Sequence, residues 1–195
     1  MAAERTSRSP KGKIIDMSDK DQNIFSRRIP VSKPYLTTRL QALRLPASHF
    51  TQFMTESTVY GVVVDMPMGS NLITTLACYI NGAANLYFSN GGDYSGAAQR
   101  YPGVVQAARM LVSFAPRMIA EDMAKADSFE LPGSRLHYAY ILSTGGAYRI
   151  ELEHTTANTD PQQRTFMNLY QRVMGELRSA QMKDEAAGIN TVKRG

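Results

Sequence analysis

Few side chains in this sequence could do chemistry on their own. Cys78 is the only cysteine of 195 residues, and His49, His137 and His154 are the only histidines. A thiol nucleophile needs a lowered pKa and a base within reach, which turns and helix starts supply. Cys78 stands instead inside an apolar run, LITTLACY, so a buried, reduced thiol is the expectation. No histidine lies four residues from another ligand-type side chain on a helix, so no metal site and no cofactor is read. His154 follows Glu153 at a strand end and reads as a surface residue. His137 faces away from the Leu/Tyr side of its own strand.

The best single candidate for a functional acid is Asp65, within the apolar stretch VVVDMPM. A carboxylate there either ends the strand beside a turn or is paired, and the strand end is the expectation. A second candidate is the stretch SNGGDYSG, with Gly91, Gly92 and Asp93 at its centre. A Gly-rich strand-to-helix turn can offer backbone N–H groups to a phosphate. Here the Lys-Ser/Thr of a P-loop is missing, the spacing does not fit a dinucleotide fingerprint, and Asp93 would repel an anion. A turn that reorients the chain is the plainer reading. Tyr138, Tyr140 and Tyr148 form the third candidate, an aromatic band that is either core or, if exposed, a surface for a partner protein.

These residues must be held by recognisable elements. Leu36, Leu40 and Leu43 have helical spacing before Pro46, and Ser48 can cap a short helix carrying Phe50, Phe53 and Met54. Three strand candidates follow, near 58–66, 72–79 and 84–89, with turn signals at Pro67–Asn71 and at Asn81-Gly82. The first two are apolar at nearly every position, as central strands are. A helix is read over 101–124, interrupted at Pro116. Strands over 135–143 and 147–153 come next. In the latter, Tyr148, Ile150 and Leu152 alternate with Arg149, Glu151 and Glu153, the pattern of a half-exposed strand near an edge. Asp160 caps and Pro161 opens the last helix, where Phe166, Leu169, Tyr170, Val173, Met174 and Leu177 make an apolar stripe.

The net charge of +5 resides in the ends of the chain. Residues 1–35 hold eight Lys/Arg against four Asp/Glu, residues 185–195 two against one, and residues 36–184 twelve of each. A balanced domain argues against a nucleic-acid reader, which gathers its positive charge on one structured face. Three parts follow: a disordered basic tail over 1–35, in which Ile14, Ile15, Ile24 and Phe25 could dock on the domain or on a partner, a single domain over 36–184, and a flexible tail over 185–195. No apolar run is long enough to cross a membrane, and the N-terminus lacks a secretory core, so a cytoplasmic location is expected.

The fold expected is α+β: one mainly antiparallel sheet of about five strands, a three-strand meander, a helix, a two-strand hairpin and a helix, with helices packed on it. Over roughly 48–182 this element order resembles the roadblock, longin and profilin-like group of small domains. Roadblock-type domains place two strands before the middle helix and three after it, and here the count is reversed. The segments GVVVDMP at 61–67, TLACY at 75–79 and SNGG at 89–92 also look like an uncharacterised family of bacterial proteins with no assigned chemistry. The functional expectation is a non-catalytic interaction or scaffold module, part of a homo- or hetero-oligomeric assembly. The alternatives are a small-ligand or nucleotide-binding protein or enzyme using Gly91-Gly92 with Asp65, and, more weakly, nucleic-acid association through the basic tail.

Overall fold

The computed structural model describes residues 29–54, 58–133, 135–153, 160–189 and 192–193. The expected tail over 1–35 lies outside the described residues up to residue 28, as does His154.

The described chain opens with helix α1 (Lys33–Leu43), capped by Ser32, whose side chain accepts from the Tyr35 amide. Lys33–Tyr35 therefore belongs to the helix rather than to the tail. A 3-10 segment (Ala47–Phe53) leads to strands β1 (Val59–Met68), β2 (Leu72–Tyr79), β3 (Ala84–Phe88) and the two-residue β4 (Asp93–Tyr94). After a 3-10 turn at Ala97–Gln99, helix α2 (Pro102–Phe114) ends in a further 3-10 turn (Ala115–Met118) holding Pro116. Pro116 thus ends the helix rather than kinking it, and residues 119–124, expected to continue it, are not helical. Strands β5 (Leu136–Ser143) and β6 (Gly146–Glu153), helix α3 (Pro161–Ala186) and the short β7 (Val192–Lys193) complete the order.

The strands form one antiparallel sheet in the order β6-β5-β1-β2-β3-β4-β7. Five are long, as the sequence leads one to expect, and two hold two residues each. β1 sits between β5 and β2, which explains why it is apolar at nearly every position, and β6 is an edge strand with Arg149, Glu151 and Glu153 on its more exposed face.

Both faces of the sheet are covered. On one, Val62, Val64, Leu76, Cys78, Ile141 and Leu152 pack against α2 and α3. On the other, Val63, Ala77, Tyr79, Tyr140 and Leu142 pack against the end of α1 and Phe50. Phe50 stacks between Tyr60 and Tyr79, with ring centroids 5.5 and 5.0 Å away. α3 buries Phe166, Tyr170, Val173, Leu177, Ala180 and Asp184, a stripe that continues the expected one by two turns. Its N-cap is Asp160, which accepts from the amides of Gln162 and Gln163.

The Asn81-Gly82 signal makes a three-residue hairpin loop rather than a two-residue one, because the Tyr79 amide bonds the Ala83 carbonyl at 2.9 Å. Gly82 has φ +94°, and a Cβ there would lie 2.4 Å from Cγ1 of Val105, so the turn is also the seat of α2.

α1 is rotated from the expectation. Leu36 and Leu40 are only half-buried, and the inner face carries Tyr35, Arg39, Ala42 and Leu43. The reason lies beneath it, in the carboxylate of Asp65.

Candidate functional site

Asp65 is not at the strand end. It lies in mid β1, opposite Thr75 of β2 and Tyr138 of β5, and is fully buried. A buried carboxylate without partners is costly, so the chain surrounds it with donors. Arg39 Nε is 3.0 Å from both carboxylate oxygens, and Arg39 Nη2 is 2.5 Å from Oδ2. Thr75 Oγ1 donates to Oδ1 at 2.7 Å and is itself 2.8 Å from the Tyr35 hydroxyl. The remaining Arg39 donors reach the carbonyls of Phe129 (2.9 Å) and Glu130 (3.0 Å), and the Tyr140 hydroxyl also donates to Glu130 O, at 2.7 Å. Burial by itself disfavours the Arg39 cation, but the hydrogen bonds and charge of Asp65 outweigh it and raise the guanidinium pKa. Tyr35 is pushed up by burial and by the neighbouring Asp65 charge. This network fastens α1 and the 119–133 segment to the sheet and leaves no acceptor open for a substrate.

Gly91, Gly92 and Asp93 are placed elsewhere. They form the turn between β3 and β4, a strand-to-strand turn rather than a strand-to-helix one. Their amides are spent within the turn: Gly91 N–H donates to Phe88 O at 2.8 Å and Gly92 N–H to Asn90 Oδ1 at 3.1 Å. Asp93 accepts from Ser95 Oγ at 2.8 Å. Asp65 and Asp93 share one cross-strand row, Asp65–Thr75–Tyr87–Asp93, and so stand three strands apart, about 14 Å. The structure does not bring the two candidates together.

The aromatic band is divided as well. Tyr138 and Tyr140 lie on the α1 face, Tyr140 fully buried and Tyr138 under the Arg149 guanidinium at 4.9 Å. Tyr148 pairs with Ile141, whose side chain belongs to the opposite face. Strand alternation puts 138 and 140 together but sends 148 to the other side, because its register partner is odd-numbered.

Cys78 is fully buried in β2, and burial pushes its thiol up, away from the thiolate. His137 is buried with Nδ1 2.9 Å from the Tyr170 hydroxyl, and His49 is exposed. Among the described residues no group of three or more His, Cys, Asp or Glu is arranged to hold a metal ion, and no helix is long and apolar enough to cross a membrane.

A second buried carboxylate is one that sequence reasoning does not single out. Asp184, near the end of α3, accepts from the hydroxyls of Tyr94 and Tyr101 (both 2.7 Å) and from Arg100 Nε (3.1 Å) and Nη2 (2.7 Å). Its carboxyl is held well below the usual range, first by the Arg100 hydrogen bonds, with Tyr101 and Tyr94 adding, against the opposing effect of burial. The cluster ties α3 to β4 and to the start of α2.

Beside it lies a surface cleft of about 630 Å³ along the outer side of α2. Arg100, Tyr101, Val105, Arg109 and Met110 line it. Met110 is 39% exposed, one of few large apolar side chains in that state. Arg109 donates to the Asn81 carbonyl at 3.0 Å, and Arg172 of α3 reaches Met110 Sδ at 3.7 Å. Among the described residues neither arginine makes an ion pair. Comparison with family models, with curated proteins and with solved structures finds no match for this chain.

Sequence reasoning misses the cleft because α2 reads as a helix with one apolar stripe, and Val105 falls within that stripe. The signal for it is local: Arg109 and Met110 are adjacent on the face opposite Ala108, Leu111 and Val112, so one cation and one large apolar side chain are turned outward together.

Proposed function

We propose that this chain is a non-catalytic protein-interaction module, and that its partner, another protein or a second copy, docks along the outer side of α2. The observation that carries the reading is a contrast in how polar groups are used. Asp65, Asp184 and the amides of Gly91 and Gly92 are consumed by internal partners, whereas Arg109, Arg172 and Met110 are presented outward around the cleft. An exposed methionine flanked by arginines is the composition favoured at protein interfaces. A cytoplasmic, reducing setting fits the single buried thiol.

The alternative, a small-ligand protein or enzyme using Gly91-Gly92 with Asp65, has no geometric support, since those groups are far apart and saturated. A thermal-shift panel of nucleotides and metabolites on the full chain separates the two readings. The interaction reading expects no shift in the panel and a specific, near-stoichiometric protein in a nuclease-treated affinity capture from lysate. A ligand-dependent rise in Tm with no captured protein contradicts it. Loss of captured nucleic acid on nuclease treatment, with no protein remaining, would move the reading to the basic tail.

A further inference from the structure

The outer side of α2 carries charge of one sign. From Pro102 to Met118 the helix and its 3-10 extension hold Arg109 and Arg117 and no acid. Of the two arginines that line the cleft, Arg100 is already neutralised by Asp184, and Arg109 makes no ion pair among the described residues. A two-fold contact of α2 with its own copy would bring arginines together with no acid to offset them. The cleft therefore selects a different surface, one that carries carboxylates.

The same chain has such a surface at the β6 edge of its sheet. Residues 120–128 read AEDMAKADS: Glu121, Asp122 and Asp127 against the single cation Lys125. All nine are exposed except Met123 and Ala126, which hold the segment to the two opposite cores of the domain. Its place at the edge is fixed by the Ala126 amide, which donates to Ala147 O of β6 at 2.8 Å. Among the described residues its three carboxylates make no ion pair. Ala120 and Ala124 stand exposed among them, small apolar side chains that permit close approach to Val105 and Met110.

The acids and the cleft do not meet within one molecule. Arg109 is tied to the Asn81 carbonyl, in the turn between β2 and β3. The edge strand β6 lies three strands beyond β2, about 14 Å away. Between two molecules nothing in this layout opposes their meeting, and the charges favour it.

We propose that residues 120–128 of one molecule dock in the α2 cleft of a second copy, with Glu121, Asp122 and Asp127 around Arg109 and the alanines against Val105 and Met110. The contact is heterologous, acidic edge to basic cleft, so each pair keeps one free cleft and one free segment and assemblies lengthen as concentration rises. The proposal rests on the interaction reading and names the occupant of the cleft.

The test is analytical ultracentrifugation of full chains at low ionic strength, alone and mixed. One variant, Arg109→Glu/Met110→Asp, loses the cleft and keeps the acidic segment. The other, Glu121→Gln/Asp122→Asn/Asp127→Asn, loses the acids and keeps the cleft. The wild type should associate with concentration, and more weakly as salt rises. Each variant alone should associate roughly tenfold more weakly than the wild type. Mixed, the two should form a one-to-one dimer and nothing larger, because one intact segment then meets one intact cleft; mixing would not cure a folding defect. A wild type that stays monomeric, a variant that pairs with itself as well as the wild type does, or a mixture that behaves as two monomers would each overturn the proposal. A foreign protein still captured through the cleft of such a monomer would overturn it too, while leaving the interaction reading standing.

Discussion

Arg39 and Asp65 are joined through three contacts, with Arg39 Nε equidistant at 3.0 Å from both carboxylate oxygens and Nη2 at 2.5 Å from one of them. Each side chain is at most 2% exposed. This pair sets the rotation of α1, since the helix must turn Arg39 inward where its leucine spacing alone would turn Leu36 and Leu40. Removing either partner strands the other in the core. Asp65→Ala and Arg39→Ala should each cost about 3–5 kcal/mol in denaturant unfolding. Arg39→Met combined with Asp65→Leu should cost clearly less than the sum of those same two changes made singly. Additive losses in that double-mutant cycle would show that the two side chains act independently.

Gly82 carries a separate prediction. Its φ of +94° disfavours any Cβ, and the space a Cβ would take is already held by Val105. Gly82→Ala should destabilise by roughly 1–3 kcal/mol. Gly69, with φ +67° and nothing within 4 Å of the place a Cβ would take, isolates the conformational part. Gly69→Ala should cost roughly 1 kcal/mol. Equal losses at the two sites, measured by chemical unfolding, would remove the contact with α2 from the account.

Asp184 predicts the acid limb of the stability curve. Its folded-state pKa is depressed, so its contribution is fully present above the unfolded carboxyl pKa of about 3.9 and is lost as pH falls through the folded value. Unfolding free energy should therefore decline below about pH 4. Asp184→Asn should lower stability at neutral pH and make that decline shallower. An unchanged acid limb in the variant would place the titration elsewhere.

Much of the architecture could be read from residue order. The central position of β1 and β2 follows from their unbroken apolar runs, the edge position of β6 from its alternation, the break after α2 from Pro116, and the start of α3 from Asp160-Pro161. What could not be read were pairings across long sequence separations. Asp65 meets Arg39 from 26 positions away, and Asp184 meets Tyr94 from 90. Periodicity reports which face of an element is apolar, and a buried arginine violates that rule on α1. A local hint did exist: Tyr35, Arg39, Ala42 and Leu43 share one helical face, and a lone carboxylate in an apolar strand requires a cation. The division of the tyrosine band turned on register. Tyr138 and Tyr140 share a face by spacing alone, but which residue of β6 lies beside them depends on the turn between the strands, and that turn pairs Ser143 with Gly146.

The central claim is that the outer side of α2 is where this chain meets another protein. The most direct measurement is affinity capture from nuclease-treated lysate with the full chain, run beside its light-scattering mass, for the wild type, for Arg109→Glu/Met110→Asp, and for Arg178→Glu as an exposed control on α3. The account predicts one near-stoichiometric protein, or a concentration-dependent dimer, that is lost in the cleft variant and kept in the control. A monomer that captures nothing, or a partner retained equally by all three chains, would contradict it.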